Sequence, residues 1–195
     1  MNYLAHLHLG GPEPEAILGS LYGDFVKGRL KGQWPSGIEA AISLHRKIDA
    51  FTDQHPLLDA AKSRFRHTPR RYTGIILDVF FDHCLAKHWS QYHNEPLPVF
   101  THKVYQVLTT TSDLPGKLAF IAPKMAEHDW LGSYQRFPVL EQVLTGINRR
   151  LREPLALARG FDELSMQYKA LEQDFLTFYP ALLAYAQTLR QMDKG

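Results

Sequence analysis

The spacing of apolar residues constrains the fold of this 195-residue chain more than any other feature. Between Asp162 and Met192, apolar and aromatic side chains recur in steps of three and four, at Leu164, Tyr168, Leu171, Phe175, Phe178, Leu182, Tyr185 and Leu189. This spacing places them along one face of a helix. No segment shows the alternation that is typical of a half-buried strand. We therefore predict an all-α fold, a helical bundle that forms a single domain over residues 1–195.

Proline and glycine residues divide the rest of the chain into further periodic segments. The predicted helices cover residues 14–27, 36–53, 57–67, 70–92, 99–111, 117–130, 136–150 and 162–192. Ser36 with Glu39 three positions later is typical of a capping box at the start of a helix. The segment 93–135, which contains two of these helices, is a candidate lid or insertion.

The composition excludes several classes of protein. The formal net charge of +2, from 22 basic and 20 acidic residues, argues against nucleic acid as a partner. The single cysteine, Cys84, cannot form an internal disulfide, which fits a reducing compartment. No run approaches the roughly 20 apolar residues of a membrane span, and the opening MNYLAHLHLGG lacks the basic region of a signal peptide. We expect a cytoplasmic protein that does not bind membranes.

Acidic residues and histidines provide the main candidates for chemistry. Seven of the ten histidines lie in the first 90 residues. Three pairs are spaced i,i+4 and so share a helix face: His45/Asp49, Asp49/Asp53 and Asp78/Asp82. Such groups among apolar neighbours are costly to bury unless they are paired or bind a metal. Imidazole and carboxylate ligands suit Mn, Fe, Mg or Zn better than a structural thiolate site. Two helices with such pairs can converge on one ion.

Each candidate also has a structural interpretation. Asp53 is a plausible cap for the helix that follows it, and Asp49 could form an ion pair with Arg46 or Lys47. His6 and His8 share a face only if the N-terminal segment is extended, because i,i+2 residues on a helix point in different directions. Cys84 lies on an apolar helix face, which is more typical of a small core residue than of a nucleophile. The chain contains neither a Gly-x-Ser-x-Gly elbow nor a glycine-rich phosphate loop.

Basic residues cluster in three segments. The largest cluster has five charges in ten residues with no acid among them: Lys62, Arg64, Arg66, Arg70 and Arg71. Two smaller clusters consist of Lys27, Arg29 and Lys31, and of Arg149, Arg150 and Arg152. Such clusters are usually solvated surface, but they can also form an electropositive patch for an acidic partner or a phosphate group.

Several ordered motifs together resemble the acyl carrier protein phosphodiesterase family. They are the opening MNYLAHLHL, GDFV at 23–26, LHRKIDAFTD at 44–53, LDVFFDH at 77–83 and HWS at 88–90. A weaker match continues to LEQDFLTFYP at 171–180, so the resemblance covers nearly the whole chain. The segment 93–135 is the part that is least similar.

The resemblance implies a reaction. Members of this family hydrolyse the phosphodiester that joins 4′-phosphopantetheine to a serine of holo-acyl carrier protein, using a divalent metal that is typically Mn²⁺. For this chain we expect Mn²⁺, with Mg²⁺ or Fe²⁺ as alternatives. The family is considered a divergent branch of the all-helical HD-type phosphohydrolases, which are named for an adjacent His-Asp pair. This chain has Asp82-His83 in the reverse order, so ligand roles cannot be transferred from the HD motif by alignment.

The resemblance also suggests residue roles. Asp24, within Gly-Asp-Phe, is where the family motif most clearly places an essential carboxylate. We expect the metal ligands among His6, His8, Asp24, His45, Asp49, Asp78 and Asp82. We expect catalytic roles for Asp24, His45, Arg46, Asp78 and His83, with Arg46 as a phosphate clamp. Because the carrier protein is strongly acidic in this class of system, we expect it to dock on Arg64, Arg66, Arg70 and Arg71.

Two other functions are also compatible with these residues. A metal phosphohydrolase of a small nucleotide or phosphoester would not need the basic cluster, so charge reversal at Arg66 and Arg70 should leave its activity intact. A non-catalytic helical module that binds an acidic protein would depend on the basic residues. It would be insensitive to chelators and to Asp24→Ala.

Overall fold

A computed structural model describes residues 1–148 and 156–192, and over these residues the chain is helical without any strand. The helices are α1 (Tyr3–Gly10), α2 (Pro14–Phe25), α3 (Ser36–Gln54), α4 (Pro56–Ser63), α5 (Arg70–Lys87), α6 (Leu97–Thr110), α7 (Gly116–Glu127), α8 (Trp130–Ser133), α9 (Val139–Asn148) and α10 (Ala156–Met192). A short 3-10 helix covers Trp89–Gln91. The predicted all-α fold is confirmed. Within the described residues, no helix is long and apolar enough to cross a bilayer.

Buried side chains from each of the ten α-helices in residues 1–148 and 156–192 belong to a common hydrophobic cluster. The long helix α10 contributes five of the eight residues of the predicted stripe as fully buried side chains: Leu164, Leu171, Phe175, Phe178 and Leu182. The other three, Tyr168, Tyr185 and Leu189, are partly buried. The segment 93–135 contributes to the same cluster through α6, α7 and α8. Its side chains thus pack into the same core as the rest of the described chain.

Helices α2 and α3 pack closely and run in the same direction. Gly19 of α2 lies against Ala41 of α3, and Gly23 lies against the ring of His45. A side chain at either glycine would overlap α3, so the two glycines, one helical turn apart, allow the close approach. Because the helices are parallel, the loop 26–35 must return from the end of α2 to the start of α3.

The start of α3 differs from the sequence prediction. Ser36 is already helical, and its side chain does not cap the helix. Glu39 instead accepts hydrogen bonds from the backbone N–H groups of Gln33 (2.9 Å) and Trp34 (3.4 Å). The predicted capping box is therefore wrong, and the carboxylate of Glu39 fixes the incoming loop.

Several predicted helix ends are also wrong. Helix α4 ends at Ser63 and α5 at Lys87, both earlier than predicted. Helix α10 begins at Ala156, before the predicted start. Helix α1 was not predicted, because seven of its eight residues are buried and its sequence therefore has no polar face to show a helical period. The last two residues of the predicted helix 136–150, and the third basic cluster, lie outside the described residues.

Candidate metal centre

Three side chains from two helices form a compact group that could hold a cation: His6 of α1 and His45 and Asp49 of α3. The His6 Nε2 atom lies 3.0 Å from Asp49 Oδ1, and the His45 Nε2 atom lies 3.2 Å from Asp49 Oδ2. One potential ligand atom from each residue lies within 4.8 Å of the others. The two imidazole rings are stacked, with centroids 3.6 Å apart and an interplanar angle of 13°. The group thus presents two nitrogens and a carboxylate to a common point.

The orientation of His45 is set by α2. Its Nδ1 donates a hydrogen bond to the Ser20 carbonyl oxygen at 2.7 Å. In the neutral ring this leaves Nε2 with a lone pair, and that lone pair faces Asp49. The ring fits against α2 because Gly23 has no side chain, since a Cβ there would lie 2.6 Å from His45 Nδ1. Neither Ser20 nor Gly23 was singled out from the sequence. The i,i+4 spacing of Gly19 and Gly23 is the signal that could have identified this close helix contact.

The position of His6 is set by α5. Asp82 is fully buried, and its two carboxylate oxygens accept the N–H groups of Leu4 (2.8 Å) and Ala5 (3.0 Å). These N–H groups belong to the first turn of α1, where they have no partner inside the helix. Burial raises the pKa of the Asp82 carboxyl to about 7, although the two N–H groups favour its ionised form. Asp82 therefore anchors α1 and positions His6 through it.

The electrostatics of the group favour a neutral imidazole beside an ionised carboxylate. Burial lowers the pKa of His6 to about 4. Burial disfavours the ionised form of Asp49, but the contacts with His45 and His6 outweigh it and hold the pKa of that carboxyl well below its usual range. At neutral pH, His6 and Asp49 are therefore in the protonation states in which an imidazole and a carboxylate bind metals.

Asp24 and Asp78 lie at the more open side of this group. Asp24 Oδ1 lies 4.0 Å from His45 Nε2, and the Asp24 side chain is 44% exposed. The protein packed around Asp24 raises the pKa of its carboxyl. Asp78 Oδ1 lies 2.9 Å from the α-amino group of Met1, and that amino group is also 3.7 Å from Asp49 Oδ1. Asp49 and Asp78 therefore flank the same cationic group.

Two of the predicted histidines point elsewhere. The N-terminal segment is a helix, so His6 and His8 diverge. His8 forms hydrogen bonds with the Tyr179 hydroxyl (2.7 Å) and the Tyr92 carbonyl oxygen (3.2 Å). His83 contacts the Tyr134 carbonyl oxygen through Nδ1 and the Tyr168 hydroxyl through Nε2. The structure therefore does not bring His8 or His83 into the group with His6 and Asp49.

The other candidates on α3 and α5 also have defined contacts. Arg46 donates a hydrogen bond to the Val26 carbonyl oxygen at 3.0 Å, so it holds the end of α2. Asp53 does not cap α4; its carboxylate lies 3.9 Å from Lys62 Nζ, and His55 is the cap. Cys84 is fully buried, and burial raises the pKa of its thiol, in agreement with the predicted core role.

Arg64 and Arg70, which are both predicted to bind a partner, are paired within the chain. Arg64 forms two hydrogen bonds with Asp174, and Arg70 forms an exposed ion pair with Asp59 at 2.8 Å. Arg71 lies over the Tyr72 ring. Arg66 is exposed at the surface.

The geometry of the group fits a divalent metal ion. Two ligand atoms at adjacent positions around such an ion, each about 2.1 Å from it, lie roughly 3.0–3.4 Å apart. The two nitrogen–oxygen distances at Asp49 are 3.0 and 3.2 Å. Both ring nitrogens of His6 are buried without an aligned hydrogen bond, which is a costly state for a polar group in the absence of a ligand. Fold and site together define an all-α protein with a histidine–carboxylate group suited to a divalent cation.

The comparisons with known proteins identify the family. The family model of acyl carrier protein phosphodiesterase matches residues 1–182. The curated acyl carrier protein phosphodiesterase of Yersinia pestis is 39% identical over 189 residues, which cover 96% of this chain and 98% of that protein. Proteins of the same name from Yersinia enterocolitica and Serratia proteamaculans are 36% identical, again over 96% of this chain and 98% of their own length. No solved structure matches the chain. The chain belongs to the acyl carrier protein phosphodiesterase family, a family of phosphodiesterases.

Proposed function

We propose that this protein hydrolyses the phosphodiester between 4′-phosphopantetheine and a serine of holo-acyl carrier protein, releasing 4′-phosphopantetheine and the apo-protein. Family membership over the whole matched length supports this reaction. The structural observation that carries the proposal is the His6–His45–Asp49 group, in which two imidazole nitrogens lie 3.0 and 3.2 Å from the carboxylate oxygens of Asp49. The relation to HD-type phosphohydrolases stays a prediction. A cytoplasmic location is part of the same proposal and agrees with the single buried thiol.

We assign the metal ligands to His6, His45 and Asp49, with Asp24 and Asp78 next to them. Nitrogen and oxygen donors of this kind fit Mn²⁺ or Fe²⁺ well, and Mg²⁺ less well. A bound divalent cation would polarise the phosphoryl oxygen and make a bound water more acidic.

Asp24 is our candidate for the proton acceptor. Its side chain is half-exposed beside His45, where an attacking water can reach it. A carboxyl whose pKa is raised by its surroundings is better matched to accepting a proton near neutral pH. The carboxylate of Asp82 is already occupied by two backbone N–H groups, so we assign it a positioning role.

The proposal is tested by incubating the purified protein with holo-acyl carrier protein and Mn²⁺ and measuring the intact mass of the carrier. We expect a loss of about 340 Da, the mass of the phosphopantetheine group. A chelator should prevent the loss, and added Mn²⁺ should restore it. His45→Gln should also prevent it, whereas His128→Gln, a matched change at an exposed histidine, should have no effect.

An unchanged carrier mass with Mn²⁺, Mg²⁺ and Fe²⁺ would refute the reaction. Hydrolysis of small phosphodiesters under those conditions would instead favour a metal phosphohydrolase of a small nucleotide or phosphoester. Hydrolysis that persists in His45→Gln would refute the assignment of the metal group.

A further inference from the structure

The loop 26–35, which we name the basic loop, presents three cations next to the candidate metal centre. Residues 25–38 contain Lys27, Arg29 and Lys31 and no acidic residue. All three side chains are exposed. Among the described residues, no carboxylate forms an ion pair with any of the three. Lys27 also attracts the nearby carboxylate of Asp24, and the charges of Arg29 and Lys31 are available to a partner.

The basic loop is held in place at both ends. At its start, Arg46 donates a hydrogen bond to the Val26 carbonyl oxygen. Near its end, Glu39 accepts the N–H groups of Gln33 and Trp34, and the Trp34 ring packs edge-on against Tyr22 of α2. A surface that is ordered before binding loses less conformational entropy when a partner docks.

Two glycines give the basic loop its course. Gly28 has a φ of 82° and Gly32 a φ of 73°, and neither would make a contact through an added Cβ. Glycine is thus favoured at both positions because the backbone is left-handed there, and not because a side chain would clash with its surroundings. The chain turns at these two glycines. Leu30 and Trp34 pack towards the core, whereas the side chains of Lys27, Arg29 and Lys31 face solvent.

The position of the scissile bond limits where the carrier protein can dock. The phosphodiester is attached directly to a serine side chain, so the carrier surface around that serine must lie against the rim of the metal centre. Lys27 and Arg29 come three and five residues after Asp24 in the chain. Their Cα atoms therefore lie within about 11 and 18 Å of the Asp24 Cα atom. A typical interface buries about 800 Å² on each partner, a patch about 30 Å across. The basic loop falls inside such a patch.

The cluster at 62–71 offers less free charge. The guanidinium of Arg64 is bound by both oxygens of Asp174. Arg70 faces Asp59, and Lys62 Nζ lies 3.9 Å from Asp53. These carboxylates oppose the attraction of an acidic partner at that surface.

We propose that the basic loop, through Lys27, Arg29 and Lys31, is the docking surface for the acidic carrier protein. The inference rests on the proposed function. It differs from the sequence-based prediction, which placed docking at 64–71. Electrostatic steering at such a surface speeds association and makes it sensitive to salt.

The test compares two double charge reversals of equal size, Arg29→Glu with Lys31→Glu, and Arg66→Glu with Arg70→Glu. All four side chains are exposed and none belongs to the metal group. Binding of apo-acyl carrier protein, which carries no scissile bond, is measured by surface plasmon resonance at about 50 and about 500 mM salt. Hydrolysis of holo-acyl carrier protein is measured in parallel, and circular dichroism checks the fold.

We expect the basic-loop variant to bind the carrier at least tenfold more weakly at low salt, with a smaller difference at high salt. The 66/70 variant should bind within about threefold of wild type. Loss of binding in the 66/70 variant alone, or equal affinity of both variants and wild type, would overturn the inference. Wild-type protein that binds the carrier but leaves its mass unchanged would refute the proposed reaction and not the docking surface.

Discussion

Replacing Gly23 with alanine tests whether the α2–α3 contact positions the metal ligand His45. The added Cβ would lie 2.6 Å from His45 Nδ1 and closer still to two carbon atoms of the ring. Ordinary contact distances are about 3.5–4.0 Å. The ring must therefore move by roughly 1 Å, or α2 and α3 must separate by a similar distance. Either movement strains the hydrogen bond between His45 and the Ser20 carbonyl oxygen.

The expected effect on stability is modest, and the expected effect on metal binding is large. Overpacking of this kind costs about 1–3 kcal/mol, while alanine in place of a helical glycine returns about 1 kcal/mol. The free energy of unfolding should thus fall by about 0–2 kcal/mol. Loss of one group that orients a ligand typically weakens metal binding 10–100-fold. Since this change displaces the ligand itself, we expect Mn²⁺ to bind at least about 100-fold more weakly.

The assay is isothermal titration of the purified protein with Mn²⁺, paired with urea denaturation. Gly19→Ala is the matched control, because its Cβ meets Ala41 and the backbone of α3 and not the His45 ring. It should cost at least as much stability and weaken Mn²⁺ binding less than tenfold. Wild-type Mn²⁺ affinity in Gly23→Ala would refute the assignment of His45 as a positioned ligand. Equal losses in both variants would attribute the effect to general helix packing.

Three further predictions follow from individual side chains. Asp24→Asn should reduce hydrolysis of holo-acyl carrier protein at least about 100-fold while changing the free energy of unfolding by less than about 0.5 kcal/mol, and near-normal turnover would exclude Asp24 as the proton acceptor. The folded-state pKa of His6, about 4, lies below its ordinary value of 6.5, so the unfolded chain binds more protons between these pH values. With a chelator present, the free energy of unfolding of the wild type should therefore fall by about 3 kcal/mol relative to that of His6→Gln as the pH falls from 6.5 to 4. Urea denaturation measures both values, and a difference that does not change with pH would contradict the lowered pKa of His6. The buried thiol of Cys84 should not react with a disulfide reagent at pH 8 until the protein is denatured, and rapid labelling of the native protein would show that it is accessible.

Local spacing predicts much of this fold. Five of the eight residues of the predicted stripe on α10 are fully buried, and the order of most helices follows from the same period. The pair His45/Asp49 forms a contact because residues four apart on a helix face the same direction. Helix ends are predicted less well, since they depend on partners outside the helix, such as the loop N–H groups that Glu39 accepts.

The role of His6 could not be derived from spacing. Helix α1 is buried on nearly all sides, so its sequence shows no amphipathic period that would orient its side chains. His6 meets His45 only because α1 packs beside α3 in the folded chain. His8 comes two residues later on α1, so it points in another direction and contacts Tyr179 of α10. Motif similarity identifies both histidines, but only the packing distinguishes them.

Two i,i+4 pairs with similar spacing show what decides the chemistry of a buried carboxylate. Asp82, in the pair Asp78/Asp82, meets the first turn of α1, whose unpaired N–H groups satisfy both of its oxygens. Asp49, in the pair His45/Asp49, meets two imidazole nitrogens. When the His45 ring is neutral, its Nε2 turns a lone pair towards this carboxylate, because Nδ1 carries the hydrogen that is donated to the Ser20 carbonyl oxygen. A carboxylate such as Asp82 already has a backbone hydrogen bond to each of its oxygens. A carboxylate that faces an imidazole lone pair is stabilised by that nitrogen only when a proton or a metal ion lies between the nitrogen and the oxygen. The difference between a structural and a metal-binding aspartate therefore lies in the neighbouring helix, and not in the spacing within its own.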